Sequence, residues 1–324
     1  MDKRRNITAI LGPKGGVGKS TISANLAIAL SGMGKKVVAV DLDLGASNLH
    51  AILGIKATPK SLSDFTQNRV ETLDEVILRT PLGDLGIICG GDDPGIANMP
   101  YQRKVKLIQH LSSLNCDLVL LDLAPGASHN VVDFSIIAQQ SLLVTTAEVP
   151  SLLNVYSFIK SAVFRRLTFF FKQKRSTQLL ELLNRAMESE NHSHLKTVDG
   201  FFQEACLLDP SISDSAKRML ARLRPIVVIN RLRTENDIKA GEVIKKLLKE
   251  YLSIDTAVIM TIRDDDAVGK ALARLRPIMI DSPDCPFCQD IRKIAFMLCR
   301  RQQELSTRAC IVKYKRKHMP AALK

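Results

Sequence analysis

Lys14-Gly15-Gly16-Val17-Gly18-Lys19-Ser20-Thr21 follows the apolar run Ile7-Thr8-Ala9-Ile10-Leu11 and leads into the helical pattern Ile22–Leu30. Strand, glycine loop and helix in this order are the setting of a phosphate-binding loop. The glycines let successive backbone N–H groups curl around a phosphate chain, and the helix N-terminus adds partial positive charge. Lys19 is expected to reach the β- and γ-phosphates and the Ser20 hydroxyl to hold Mg²⁺. The usual loop has glycine six positions before this lysine, where the chain has Pro13, and makes no demand for a lysine at position 14.

Two further segments point the same way. Lys36-Val37-Val38-Ala39-Val40-Asp41 is a buried-strand run ending in a carboxylate, and Asp43, Gly45 and Asn48 follow it. Asp117-Leu118-Val119-Leu120-Leu121-Asp122 leads four apolar residues to a carboxylate at a strand's C-terminal end, where Asp122 is expected to bond a Mg²⁺-bound water. Pro225-Ile226-Val227-Val228-Ile229-Asn230 is another buried strand run.

The second lysine makes the loop similar to the deviant Walker A motif of the MinD/ParA-type ATPases, K-G-G-x-G-K-[ST]. The segment around Asp43 resembles that family's D-x-D-x-G-x-x-N switch. The resemblance covers about 1–150 and 225–300, and it implies that Lys14 reaches across a nucleotide-sandwiched homodimer to the partner's ATP. It further implies that Asp43 orients or activates the attacking water, that Asp41 sits near the Mg²⁺ shell, and that Asn230 contacts adenine. Family members also place an acidic residue beside the base and ribose, and Asp264, Asp265 and Asp266 are equal candidates.

Strand-like runs near 6–11, 36–41, 85–89, 117–122, 141–145, 225–230 and 255–259 alternate with helical patterns. This alternation predicts an α/β fold, a doubly wound and mostly parallel sheet covered on both faces. The rhythm breaks between 146 and 224, where a helical pattern from Pro150 is followed by further helices at about 177–188, 197–207 and 211–222. The expected organisation is one P-loop ATPase domain over 1–300, a helical insertion at about 160–224, and a basic tail over 301–324. Seven of the eleven phenylalanines lie between Phe158 and Phe202. They are expected to form a small core of the insertion's own, the competing reading being a partner or membrane face flanked by basic residues.

The chain has 324 residues and a net charge of +13. Residues 160–224 carry twelve Lys/Arg against seven Asp/Glu, and residues 300–324 carry eight against one, so the body is nearly neutral. Basic appendages suit an anionic surface, either membrane or nucleic acid. No run approaches the ~20 apolar residues of a spanning helix. Met1-Asp2-Lys3-Arg4-Arg5 runs straight into the first strand, and seven scattered cysteines read as reduced thiols. The expected location is cytoplasmic, with peripheral attachment to the inner face of the membrane as an option.

Cys285-Pro286-Phe287-Cys288 is the one competing signal, a CxxC that could serve redox or metal chemistry. It lacks a second CxxC, and it follows the acidic loop where the family's iron–sulfur carriers place theirs before it. The reading is therefore an ATP-dependent dimerisation switch that slowly hydrolyses ATP and positions a structure such as flagella or the division site. Its partners would be an anionic membrane surface or a protein activator. The alternatives are a ParA-like ATPase gripping DNA nonspecifically and an iron–sulfur cluster carrier.

Overall fold

Continuous Val/Ile/Leu runs become interior strands because a parallel sheet covered on both faces has no polar side to show. The computed structural model describes residues 6–43, 47–56, 58–91, 100–188, 195 and 197–317. Its strands are β1 (Asn6–Leu11), β2 (Val37–Leu42), β3 (Leu78–Arg79), β4 (Leu85–Ile88), β5 (Leu118–Leu123), β6 (Gln140–Thr145), β7 (Ile226–Leu232) and β8 (Val258–Arg263). They form one sheet in the order β3-β4-β2-β5-β1-β6-β7-β8. Every pairing is parallel except the short β3 edge against β4. The doubly wound fold class is thus as expected.

Two corrections concern the margins of the sheet. The seventh expected strand, 255–259, begins three residues later at Val258 and runs to Arg263. Ser253 ends the preceding helix in a left-handed conformation, and Ile254 turns back into the core before the strand starts. The two-residue β3 had no counterpart in the sequence reading, because two residues carry no period.

The topology places β1 between β5 and β6, so the chain winds one way through β2 and the other way through β6. At such a switch point the loops leaving neighbouring strands diverge and open a crevice at the strands' carboxyl ends. The loop from Gly12 to Gly18 and the start of helix Lys19–Gly32 stand at that crevice. In the β2–β5 register Asp41 lies opposite Asp122, and in the β1–β5 register Ile10 lies opposite Asp122.

Helix Val149–Lys174 is 26 residues long and buries a stripe including Leu152, Val155, Phe158, Val163, Leu167 and Phe171. Helices Thr177–Met187, Val198–Leu208 and Pro210–Leu220 complete this region. The expectation of a separate core for it is overturned. Phe158, Phe164, Phe171, Phe201 and Phe202 belong to the same buried cluster as Ile7, Val40 and Val119 of the sheet. The helices extend the layer over one sheet face.

Helix Pro286–Lys317 covers the other face with Phe287, Cys288, Ile291, Ile294, Ala295 and Leu298, against helix Lys19–Gly32. It continues unbroken through residue 300. Among the described residues, no helix is long and apolar enough to cross a membrane.

Candidate nucleotide site

Gly18 closes the loop as the N-cap of helix Lys19–Gly32, in a left-handed conformation with φ 90° that favours glycine. A Cβ at this position would also lie 2.4 Å from Nδ2 of Asn230, so the loop and the end of β7 are in contact. Asn230 Nδ2 donates to the Val17 carbonyl at 2.8 Å, and the residue is only 5% exposed. The side chain expected at adenine thus holds the backbone of the loop that would wrap phosphates. Burial forces this, since an amide at the end of an interior strand must find a partner inside.

Lys19 is the centre of the charge arrangement. Its Nζ donates to Asp122 Oδ1 at 3.1 Å and stands 3.9 Å from Asp43 Oδ2. The Ser20 hydroxyl is 3.4 Å from the same ammonium. Ser23 Oγ donates to Asp122 Oδ1 at 2.9 Å, a residue the sequence reading passed over. Its signal was available: Ser23 is four residues beyond Lys19, on the same helix face.

Asp41 accepts from Ser47 Oγ at 2.8 Å, from Leu49 N at 3.1 Å and from Asp43 N at 3.0 Å. Both its oxygens therefore organise the segment that carries Asp43. Burial, and then the charge of Asp122, pushes its carboxyl up to about 6. Burial also raises Asp43, with Lys19 opposing.

The donor set fits a hard divalent cation. Asp122 Oδ2 is buried and has no hydrogen-bond partner among the described residues. Asp41, Asp43 and Asp122 outnumber the one ammonium among them, and carboxylate and hydroxyl oxygens are the ligands such ions prefer.

Lys14 is exposed at the head of the loop, as are Gly15 and Gly16. Next to it, Glu148 is held below its usual range, first by the Thr146 hydroxyl and then by Ser151, with the Lys14 charge contributing. Thr21 lies one turn into the site helix, its carbonyl accepting from Asn25 Nδ2 at 2.8 Å.

Two of the acidic-loop candidates, which follow the carboxyl end of β8, have partners of their own. Asp264 pairs with Arg233 at 2.7 Å, and Asp265 caps helix Asp266–Ala273 through Ala267 N. Cys288 is wholly buried in the core under helix Lys19–Gly32, and burial raises its thiol. A core thiol is poorly placed to share a cluster at the surface. The Phe169-Phe170-Phe171 run is also not an exposed anchor. Phe171 is fully buried, Phe170 packs on the core, and Phe169 lies between Tyr101, at 4.3 Å, and the Arg165 guanidinium, at 4.6 Å.

Comparison with known proteins identifies the family and the fold. The family model described as the CobQ/CobB/MinD/ParA nucleotide binding domain matches residues 8–278. The antiactivator FleN of Pseudomonas aeruginosa is 36% identical over 157 residues, 48% of this chain and 55% of that protein. The chain thus spans about half the length of that relative. An uncharacterized ATP-binding protein of Methanocaldococcus jannaschii is 25% identical over 91% of this chain and 88% of its own. The fold is that of the septum site-determining protein MinD of Pyrococcus horikoshii, solved with Mg-ADP, at a TM-score of 0.59 and 21% identity over 90% of this chain and 94% of that one.

Proposed function

Because the chain belongs to the CobQ/CobB/MinD/ParA nucleotide-binding domain family, we propose that it is an ATP-driven dimerisation switch that positions a cellular structure such as flagella or the division site. The observation that carries this reading is the meeting of Lys19, Asp43 and Asp122 within 4 Å at the sheet's switch point, under a glycine loop. A septum site-determining protein MinD of Helicobacter pylori, 33% identical over 45% of this chain and 54% of its own length, supports the placement task.

In this reading, the backbone N–H groups of Gly15 to Thr21 wrap the phosphates, and Lys19 turns from the carboxylates to the β- and γ-oxygens. Ser20 and Asp122 would hold Mg²⁺, with Asp41 behind them, and the cation would supply charge to neutralise the phosphate oxygens. Asp43, half-buried with a raised carboxyl, orients the attacking water. Lys14, exposed beside Glu148, extends to the nucleotide of a second subunit, so full charge neutralisation needs the dimer. Hydrolysis removes that requirement and reopens it. A switch needs only that its target bind the two states with different affinity.

Lys14→Ala is expected to keep ATP affinity within about threefold while losing both ATP-dependent dimerisation and turnover, because an exposed side chain at the loop head is not needed to hold the nucleotide in cis. Asp43→Ala should instead give a persistent dimer on size-exclusion chromatography with ATP. Equilibrium dialysis showing Lys14→Ala as impaired as Lys19→Ala would remove the trans role.

The appendage carries the second test. Among the described residues of helix Pro286–Lys317 the last buried one is Leu298, and residues 300–324 hold eight Lys/Arg against one acid. Each such residue near an anionic membrane is worth about 1 kcal/mol, and a dimer presents two such segments at once. ATP-loaded protein is expected to sediment with phosphatidylglycerol vesicles, and truncation after Glu304 to weaken this several-fold with turnover in solution unchanged. Unchanged sedimentation would rule out the tail as the attachment site. Salt-sensitive DNA binding without vesicle binding would favour the segregation reading.

A further inference from the structure

A second cavity lies at the opposite end of the sheet, where β6 and β7 begin. It has a volume of about 680 Å³ and is bounded by residues 135–141, the long helix, residues 221–225 and the start of the basic helix segment. Gln140 and Ile226 open β6 and β7 here, whereas the glycine loop leaves the carboxyl end of β1, and no loop residue lines the cavity.

Its lining has two parts. Four arginines, Arg166, Arg222, Arg224 and Arg301, converge on it, against a single acid, Glu304, a net of +3. Among the described residues, no carboxylate pairs with Arg166, Arg222 or Arg224. Burial lowers Arg166, and burial followed by the neighbouring Arg224 charge lowers Arg301, with Glu304 opposing. The remaining wall is apolar, with Ile137, Phe158, Val163 and Leu223.

Gln140 lines it too, 8% exposed, and among the described residues neither its amide nitrogen nor its amide oxygen is paired. A buried amide without partners is destabilising, and a ligand that pairs it removes that cost. Arginines in a concave, largely apolar site are the arrangement that binds an anionic head with an apolar body. The chain's own basic terminal segment has the wrong charge to fill it.

We propose that this cavity is a binding site for a small anionic amphiphile, a phosphate monoester or similar compact anion on a hydrocarbon body, with the arginines and Gln140 on the head and the Phe158 wall on the body. The site is separate from the nucleotide loop and does not depend on the reading given for that loop. Its size is within the range of small-molecule sites of about 300–1,000 Å³.

Isothermal titration calorimetry of the full chain with octyl phosphate tests it. One octyl phosphate per chain is expected, with inorganic phosphate and 1-octanol each at least about tenfold weaker, since each supplies half of the contacts. Arg224→Gln and Arg166→Gln should each weaken octyl phosphate about tenfold or more and leave ADP affinity unchanged. Arg224 is exposed, so its variant keeps the test sound even if the half-buried Arg166 is needed for folding. No octyl phosphate binding, binding displaced by ADP, or equal binding by Arg224→Gln would overturn the site. The ADP titration stands apart and reports on the nucleotide loop alone. Flotation with phosphatidylglycerol vesicles then separates the two sources of such a head. Loss in Arg224→Gln assigns it to a lipid held in a bilayer, and unchanged flotation assigns it to a soluble ligand.

Discussion

Lys19→Ala is expected to lower ATP affinity at least about a hundredfold in equilibrium dialysis. The wild-type ammonium is 7% exposed and stands among Asp122, Asp43 and the Ser20 hydroxyl. Its removal deletes charge-assisted contacts worth about 1.5–3 kcal/mol each to the β- and γ-oxygens. It also leaves the carboxylates of Asp41, Asp43 and Asp122 facing an incoming polyanion with no fixed cation between them. Ser23→Ala is the control, because it removes one neutral donor to Asp122 and leaves the charge. That variant should lose no more than about tenfold, in keeping with ~1 kcal/mol for such a bond. If Lys19→Ala bound ATP within threefold of the wild type, the loop would not be the phosphate site.

What could be read from the sequence was what local patterns encode. The Ile7–Leu11 run, the glycine loop and the helix after it place β1, the cap at Gly18 and the start of the site helix, because each rests on neighbours within a few residues. The carboxylates Asp41 and Asp122 were legible as strand ends, and the β2–β5 register sets them side by side. The contacts between distant segments were not legible. Asn230 meets Val17 across 213 residues, and nothing in either segment reports the other. The phenylalanine cluster misled for a related reason: composition shows that Phe171 and Phe201 must be buried, while only the fold shows that they join the sheet's own core. β8 was misplaced because it is half-exposed, its buried Ile262 lying outside the expected span.

That hidden layer also contains Asp133, which no motif marks. It is fully buried, takes Lys104 Nζ at 2.5 Å, and takes Arg165 through Nε at 2.9 Å and Nη2 at 3.2 Å. Three helices, Tyr101–Ser113, His129–Ile137 and Val149–Lys174, are thereby joined at one carboxylate beneath the sheet. Asp133→Ala strands a buried ammonium, Lys104 being 2% exposed, beside a half-buried guanidinium. Breaking a buried pair from one side costs about 3–5 kcal/mol, because the remaining charge has lost both water and partner. At about 2–4 °C per kcal/mol for a domain of this class, the Tm should fall by roughly 6–20 °C in calorimetry. Replacing all three groups together, Lys104→Met with Asp133→Leu and Arg165→Met, should recover most of that loss, since an apolar set of similar volume leaves no charge unpaired. A fall of less than 2 °C in Asp133→Ala would mean that water reaches Lys104 and that this layer is looser than its packing indicates. A large fall that the triple variant fails to reverse would mean that the network sets helix geometry beyond its charge balance.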